Sequence, residues 1–131
     1  MYRSLAVCTL LCLVTLLGCS EDQVICAPLP PWAVAVDVRD STTGSLVVSE
    51  ASGAIFMAGV LNDSLRRDRL FHLSPDTLLV GGVTEGQVEV RVVHPDYLPW
   101  VAEGVQTLLT EGDCPQWETQ QLVARLQTPP E

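Results

Sequence analysis

Apolar and polar residues alternate along much of the chain, and the clearest case lies between residues 86 and 94. Val88, Val90 and Val92 are separated by polar residues, which is the period of two expected for a strand with one buried and one solvated face. Val93 breaks the alternation, so the pattern predicts that this strand becomes more buried near its end.

Turns and further strands are predicted around this element. Pro95-Asp96 ends it, because proline lacks the amide donor that a strand ladder needs and Asp favours turns. Asp40–Gly44 has the Asx and glycine chemistry of a turn, and Gly104 is expected at a bulge. The same patterns predict strands over residues 32–39, 46–48, 54–61, 70–73, 77–80, 101–110 and 119–127. Short strands with no amphipathic helix predict an all-β fold, a seven- to eight-stranded antiparallel β-sandwich.

The region from residue 54 to residue 69 is the least regular. Ala54–Leu61 is apolar on both faces, which predicts a central strand buried on both sides; a short buried helix is the alternative. Asn62–Arg69 is the most polar part of the chain and is predicted to be an exposed loop.

The first residues have the pattern of an export signal. After Arg3, the stretch from Leu5 to Gly18 is almost entirely apolar, and it is too short to span a bilayer, which needs about 20 helical residues. Its end, Leu16-Leu17-Gly18-Cys19, resembles the lipobox of bacterial lipoproteins. The resemblance implies cleavage before Cys19, a diacylglycerol thioether on its sulfur and N-acylation, with palmitate an expected acyl group. The alternative is an ordinary signal peptide cut elsewhere.

This resemblance sets the expected domain boundaries. Residues 1–18 form the signal peptide, 19–31 the acylated cysteine with a proline-rich tether, 32–127 the β-sandwich domain and 128–131 a frayed tail. In well-studied double-membrane bacteria an aspartate after the acylated cysteine retains a lipoprotein at the inner membrane. Ser20 stands there instead, which favours the periplasmic face of the outer membrane over the inner membrane.

The cysteines divide by position. Cys8 and Cys12 leave with the signal peptide and Cys19 takes the lipid, so Cys26 and Cys114 remain. Two thiols outside the cytosol are usually paired, which predicts a disulfide. A metal pair or a redox pair is the alternative, although neither cysteine has a histidine or a further cysteine at ligand spacing. No metal site and no cofactor besides the covalent lipid are expected.

The charge of the chain limits its partners. The formal net charge is -9 at pH 7, and every basic residue is arginine. A strongly acidic surface argues against nucleic acid, which requires a positive footprint, and against lying flat on anionic headgroups. Contact with the membrane is therefore expected through the lipid anchor.

Several short motifs resemble the carboxypeptidase regulatory-like, or transthyretin-like, domain family. A valine-rich strand runs into Asp40-Ser41-Thr42-Thr43-Gly44, which matches the family's D-x-x-T-G, and the strand after Gly86 runs into Pro95-Asp96-Tyr97, where the family has x-G-Y. The central D-x-x-G-x-F signal of the family is poorly kept between Ala54 and Val80. The resemblance covers Trp32 to Leu126. It implies a seven-stranded, usually non-catalytic domain that stabilises, spaces or binds.

Two groups of residues are candidates for a site. His72 and His94 are the only histidines, and neither has a cluster of partners in the sequence, so no catalytic residue is predicted. Tyr97, Trp100 and Trp117 form a candidate binding patch if the loops that carry them gather at one end of the domain. The alternative is that Tyr97 and Trp100 plug the end of the sandwich.

The expected function is that of a non-enzymatic, lipid-anchored lipoprotein of the bacterial cell envelope. Its β-sandwich would act as a structural or binding module for an envelope protein or glycan. The alternative is a small periplasmic hydrolase or metal-dependent enzyme that uses His72 or His94 with nearby carboxylates. Convergence of histidines and carboxylates in one pocket would support the alternative.

Overall fold

The alternating apolar and polar pattern predicts strands, and the chain forms strands. The structure is a computed structural model that describes residues 24–26, 32–67, 78–82 and 84–131. The predicted signal peptide, Cys19, tether residues 27–31, His72 and the strand at 70–73 lie outside the described residues. The described ranges contain a three-residue 3-10 turn and no helix able to cross a bilayer.

The described residues form eight strands in one mixed sheet, which confirms the all-β fold. In chain order they are β1 (Val34–Asp40), β2 (Ser52–Met57), β3 (Val60–Arg67), β4 (Leu78–Gly81), β5 (Gly86–His94), β6 (Tyr97–Leu109), β7 (Trp117–Glu118) and β8 (Gln120–Leu126). Their order across the sheet is β7-β6-β5-β2-β3-β4-β1-β8. The pair β1–β8 is parallel, so the prediction of a purely antiparallel arrangement is wrong.

The sheet curls until its two edges approach each other. β3 makes the bend, because it pairs with β2 as far as Leu65 and then with β4 through Arg66 and Arg67. At the far side, the Leu98 amide on β6 donates to the Gln127 carbonyl just after β8, at 2.8 Å. The result is a nearly closed sheet, and a clear division into the two separate sheets of a sandwich is not evident.

The core lies inside this curl and is made mainly of small branched side chains. β1 and β5 supply alternate valines, and the other strands add Ile55, Leu79, Ala124 and Leu126. The valine alternation of β5 is confirmed, since Val88, Val90 and Val92 are buried. Val93 continues the alternation and is 46% exposed, so the prediction of greater burial at the end of this strand is wrong.

The segment from Ala54 to Arg67 is a hairpin, not a buried strand followed by a loop. β2 and β3 are joined by Ala58 and Gly59, whose φ angles of 49° and 78° fit the primed turns that suit tight hairpins. Val60 and Leu61 are exposed at the start of β3. The polar residues of β3 were predicted to be a loop because they lack apolar alternation, but their backbone is hydrogen-bonded to neighbouring strands.

Other boundaries differ less. The predicted strand at 46–48 is wrong: Leu46 makes an isolated bridge to Arg39, and the 3-10 turn Val48–Glu50 follows. β6 begins at Tyr97 and not after Trp100. The predicted bulge at Gly104 is confirmed, because its φ is 70° and the β5–β6 register slips beside it.

A disulfide joins Cys26 to Cys114, as predicted, with a Cα–Cα distance of 5.5 Å and a sequence separation of 88. A loop of that length corresponds to roughly 4 to 5 kcal/mol of loss in unfolded-chain entropy. We call the end of the sheet that carries this bond, with the last residues of β6, the disulfide end. The opposite end, with the turns Asp40–Gly44 and Pro95-Asp96, is the turn end.

Substitutions of two valines in β5 can test which face of this strand is buried and which is exposed to solvent. Val90→Ala should lower the free energy of unfolding by about 2 kcal/mol, because it removes fully buried methyl groups. The matched variant Val93→Ala should change it by less than about 0.5 kcal/mol, because Val93 faces solvent. Urea unfolding followed by circular dichroism measures both, and equal losses would contradict the faces assigned here.

Candidate functional site

A buried carboxylate organises the turn end of the sheet. Asp40 ends β1, and its Oδ1 accepts the Thr42 and Thr43 amides, each at 2.7 Å. The Gly44 amide donates to the Asp40 carbonyl at 2.9 Å, which closes the turn. This confirms the Asx turn predicted for Asp40–Gly44 and shows why the sequence places Asp at its first position.

The second carboxylate oxygen binds a distant residue. The Tyr97 hydroxyl donates to Asp40 Oδ2 at 2.8 Å, so the start of β6 is tied to the end of β1. The Thr43 amide and then the Tyr97 hydroxyl lower the pKa of Asp40 to about 2. The carboxylate in turn raises the pKa of Tyr97. These bonds hold the carboxylate ionised and the phenol neutral, which suits a structural lock more than a proton carrier.

The three aromatic residues of the predicted patch do not meet. Tyr97 and Trp100 lie near the first residue of β6, whereas Trp117 pairs with Leu109, the last residue of that strand. At about 3.3 Å per residue, and allowing for the two register slips against β5, the strand places Trp117 roughly 25 to 35 Å from them. All three are half-buried and pack against the core.

Trp100 nevertheless lines a groove, at the seam where β6 approaches β8. We call it the seam groove, and it has a volume of about 250 Å³. Its lining residues are Leu98, Pro99, Trp100, Val101, Arg125 and Gln127. Arg125 is the single charged residue among them, and it makes no ion pair within the described residues. The groove therefore combines an apolar ledge with one positive charge on a strongly acidic chain.

A second groove lies on the outer face of β2 and β5. It has a volume of about 320 Å³ and is lined by Glu50, Ser52, Val93, His94 and Pro95. Three of these are residue types that a hydrolase uses. The His94 Nδ1 accepts the Asp96 amide at 3.2 Å, and within the described chain no hydrogen bond joins Glu50, Ser52 and His94. This groove lacks the hydrogen-bonded nucleophile and base that activate a hydrolase.

The outer groove continues toward Arg91, but the positive charge of Arg91 is already occupied by contacts within the protein. The Arg91 guanidinium stacks over the Phe56 ring, 4.4 Å from its centroid, and its Nε also donates to Glu89. Both contacts hold the cation in place on the sheet surface. Arg125 in the seam groove has no comparable partner among the described residues.

Metal binding has no support in the described part of the chain. No group of three or more His, Cys, Asp or Glu side chains converges there. His94 packs edge-on against the Tyr97 ring, with centroids 4.8 Å apart, and lies half-buried at the end of β5. His72 lies outside the described residues, so its position relative to His94 is not defined.

Two residues of interest were missed from the sequence. Asp40 was assigned only to a turn, and its bond to Tyr97 joins residues 57 positions apart, for which no local pattern exists. Arg125 was assigned only to the last strand. A basic residue at an outward position of an otherwise uncharged strand was the one available signal for it.

Comparison with known proteins does not identify the chain: no protein-family model and no curated protein matches it. The geometry of the two grooves and of the turn end is therefore the basis for assigning a function.

The Asp40 lock should be visible in the pH dependence of stability. The pKa of Asp40 is lowered from 3.8 to about 2 in the folded chain, so its contribution is complete above about pH 4 and is lost as the pH falls toward 2. Asp40→Asn should flatten the loss of stability across this window. Tyr97→Phe should flatten it less, because the Thr43 amide remains. Denaturant unfolding from pH 5 to pH 2 measures this; three parallel curves would contradict the lock.

Proposed function

We propose that the chain is a lipid-anchored, non-enzymatic module of the bacterial cell envelope that binds a protein partner through its seam groove. The Cys26–Cys114 bond carries the proposal, because disulfides form and persist outside the reducing cytosol. It agrees with an exported chain, and Cys26 lies only seven residues after Cys19, the cysteine of the lipobox-like motif. Two or three acyl chains on Cys19 would make desorption negligible.

The order of the strands is compatible with the resemblance to transthyretin-like domains. β3 divides the curled sheet into one half with β7, β6, β5 and β2, and another with β4, β1 and β8. We propose that these halves correspond to the two layers of a transthyretin-like sandwich, joined where β3 passes from one to the other. The Asp40–Gly44 turn, whose sequence resembles the family's D-x-x-T-G motif, has a structural role in this chain.

A binding role is favoured over a catalytic one by how the polar groups are used. Asp40 and Tyr97 bond each other, and His94 accepts an amide of its own turn. Asp40, Tyr97 and His94 are therefore committed to the fold. The seam groove differs, because Arg125 and the apolar side chains around it are available to a partner.

The chemistry of the seam groove defines the segment that fits it. Leu98 and Val101 are both more than 40% exposed, which offers an apolar surface to a side chain of the partner. Arg125 presents a planar guanidinium that pairs well with a carboxylate. A protein segment with an apolar residue beside an Asp or Glu satisfies both. Such a segment would contact this protein at the seam groove, where β6 and β8 are closest.

Lipidation can be tested directly in a bacterial host. Cells that express the chain should incorporate labelled palmitate into it, and the protein should fractionate with membranes. Cys19→Ser should abolish both the label and the membrane association, because no sulfur remains at the cleavage site. Cys8→Ser is the matched control and should change neither. Label that survives in Cys19→Ser would contradict the proposed anchor.

Crosslinking in the native envelope tests the seam groove. A photoreactive residue in place of Val101 should give a discrete protein adduct, whereas the same residue in place of Val60, which is 69% exposed at the disulfide end, should not. Arg125→Glu should reduce the Val101 adduct by about two- to fivefold, the effect of an exposed ion pair. Equal adducts from both positions, or a glycan adduct without protein, would contradict the proposed partner.

A further inference from the structure

Within the described residues, the N-terminal part of the chain is attached to the sheet at two places, both at the disulfide end. The first is the bond between Cys26 and Cys114. The second lies just before β1, where the Trp32 carbonyl accepts the Thr119 hydroxyl at 2.8 Å. The Ala33 amide and carbonyl are also paired, with Gly82 and Gln120. Any anchor at Cys19 therefore pulls on the disulfide end and not on the turn end.

The two attachments give leashes of different length. Cys19 and Cys26 are seven residues apart, which corresponds to about 25 Å in a fully extended chain. Without the disulfide the first attachment that the structure describes is at Trp32, and the same arithmetic gives about 45 Å. The disulfide thus shortens the maximum reach of the body from its anchor by nearly half.

The charge of the disulfide end opposes adhesion to lipid. Its segments 82–86 and 107–120 contain four acidic residues and no basic residue. The four are Glu85, Glu111, Asp113 and Glu118, and each is exposed. Arg66 also lies at this end, 5.8 Å from the centroid of the Trp32 ring, and is paired with Asp63. Anionic headgroups repel such a surface over about 10 Å at moderate salt. The end nearest the anchor is therefore tethered close to the bilayer without binding to it.

We infer that the Cys26–Cys114 bond sets the orientation and reach of the anchored body. The disulfide end is held beside the bilayer, and the turn end, with its seam groove, points away toward the partner. This inference rests on the lipidation of Cys19 in the proposed function. It adds to that function the direction from which a partner must approach.

Energy transfer to a lipid dye in reconstituted vesicles tests the orientation. A fluorescent residue in place of Pro115 marks the disulfide end, and one in place of Thr42 marks the turn end; both positions are exposed. Transfer from Pro115 should be at least about twofold more efficient, because the paired strands β5 and β6 separate the ends by roughly 30 Å. Equal transfer, or more efficient transfer from Thr42, would overturn the orientation.

The role of the disulfide is tested by lengthening the leash in two ways. Cys26→Ser with Cys114→Ser should lower transfer from Pro115. A Gly-Ser insertion of six residues between Cys19 and Cys26 should lower it similarly while the bond stays intact. The insertion variant still tests whether the length of the leash sets the distance from the bilayer, even if the variant without a disulfide unfolds. Unchanged transfer in the insertion variant would overturn the assigned role.

Failure of the anchor can be separated from failure of the orientation. The full chain with Cys8→Ser and Cys12→Ser retains Cys19 as its one thiol outside the disulfide. Coupling that thiol to a maleimide phospholipid anchors the chain chemically. A chain that is not acylated in cells but shows the expected transfer in this form would refute the proposed lipidation alone. A chain that is acylated but shows equal transfer from both ends would refute the orientation alone.

Discussion

The packing of valines from β1 and β5 inside one curled sheet is the interaction on which the rest of the structure depends. These strands lie on opposite sides of β3 in the order of the sheet, yet their side chains share one buried cluster. The curl is what brings them together, and burial of their apolar surface is what stabilises the curl. Branched side chains of similar size suit this arrangement, because they fill a narrow space with few rotamers. The polar lock at the turn end and the covalent bond at the disulfide end then fix the two ends of the same cluster.

The parts of the fold that the sequence predicted are those with local causes. β5 and β8 were found because a period of two reports one buried face, and the turn at Asp40 because its side chain bonds amides two and three residues later. β2 and β3 were misjudged for an equally physical reason. Ala58 adopts a positive φ, which an alanine rarely signals, and the polar backbone of β3 is satisfied by strands on both sides. Most of β3 is exposed, so its sequence lacks the apolar alternation that marks a strand with one buried face.

Long-range relations were beyond any local pattern. A strand alternates in the same way whether its neighbour is parallel or antiparallel, so the direction of the β1–β8 pair left no trace in the sequence. The predicted aromatic patch depended on where its loops lie in space. β6 is thirteen residues long, and its length separates Tyr97 from Trp117 although both follow turns. The disulfide was predictable because it followed from a count of cysteines and from the export that the predicted signal peptide implies, for which no geometry was needed.

A sheet that almost closes leaves a seam between its two edges. The seam groove at this place is open, whereas the interior of the sheet is filled by packed side chains. β7 closes one end of it with two paired residues, and the Leu98–Gln127 bond closes the other. Between them, Pro99 and the Gly104 bulge interrupt the edge of β6, devices that prevent one sheet from adding to another. These interruptions keep the edge of β6 from uncontrolled strand pairing, while Trp100 beside the groove still packs against the core. The apolar ledge is joined there by Arg125, an exposed side chain that makes no ion pair within the described residues.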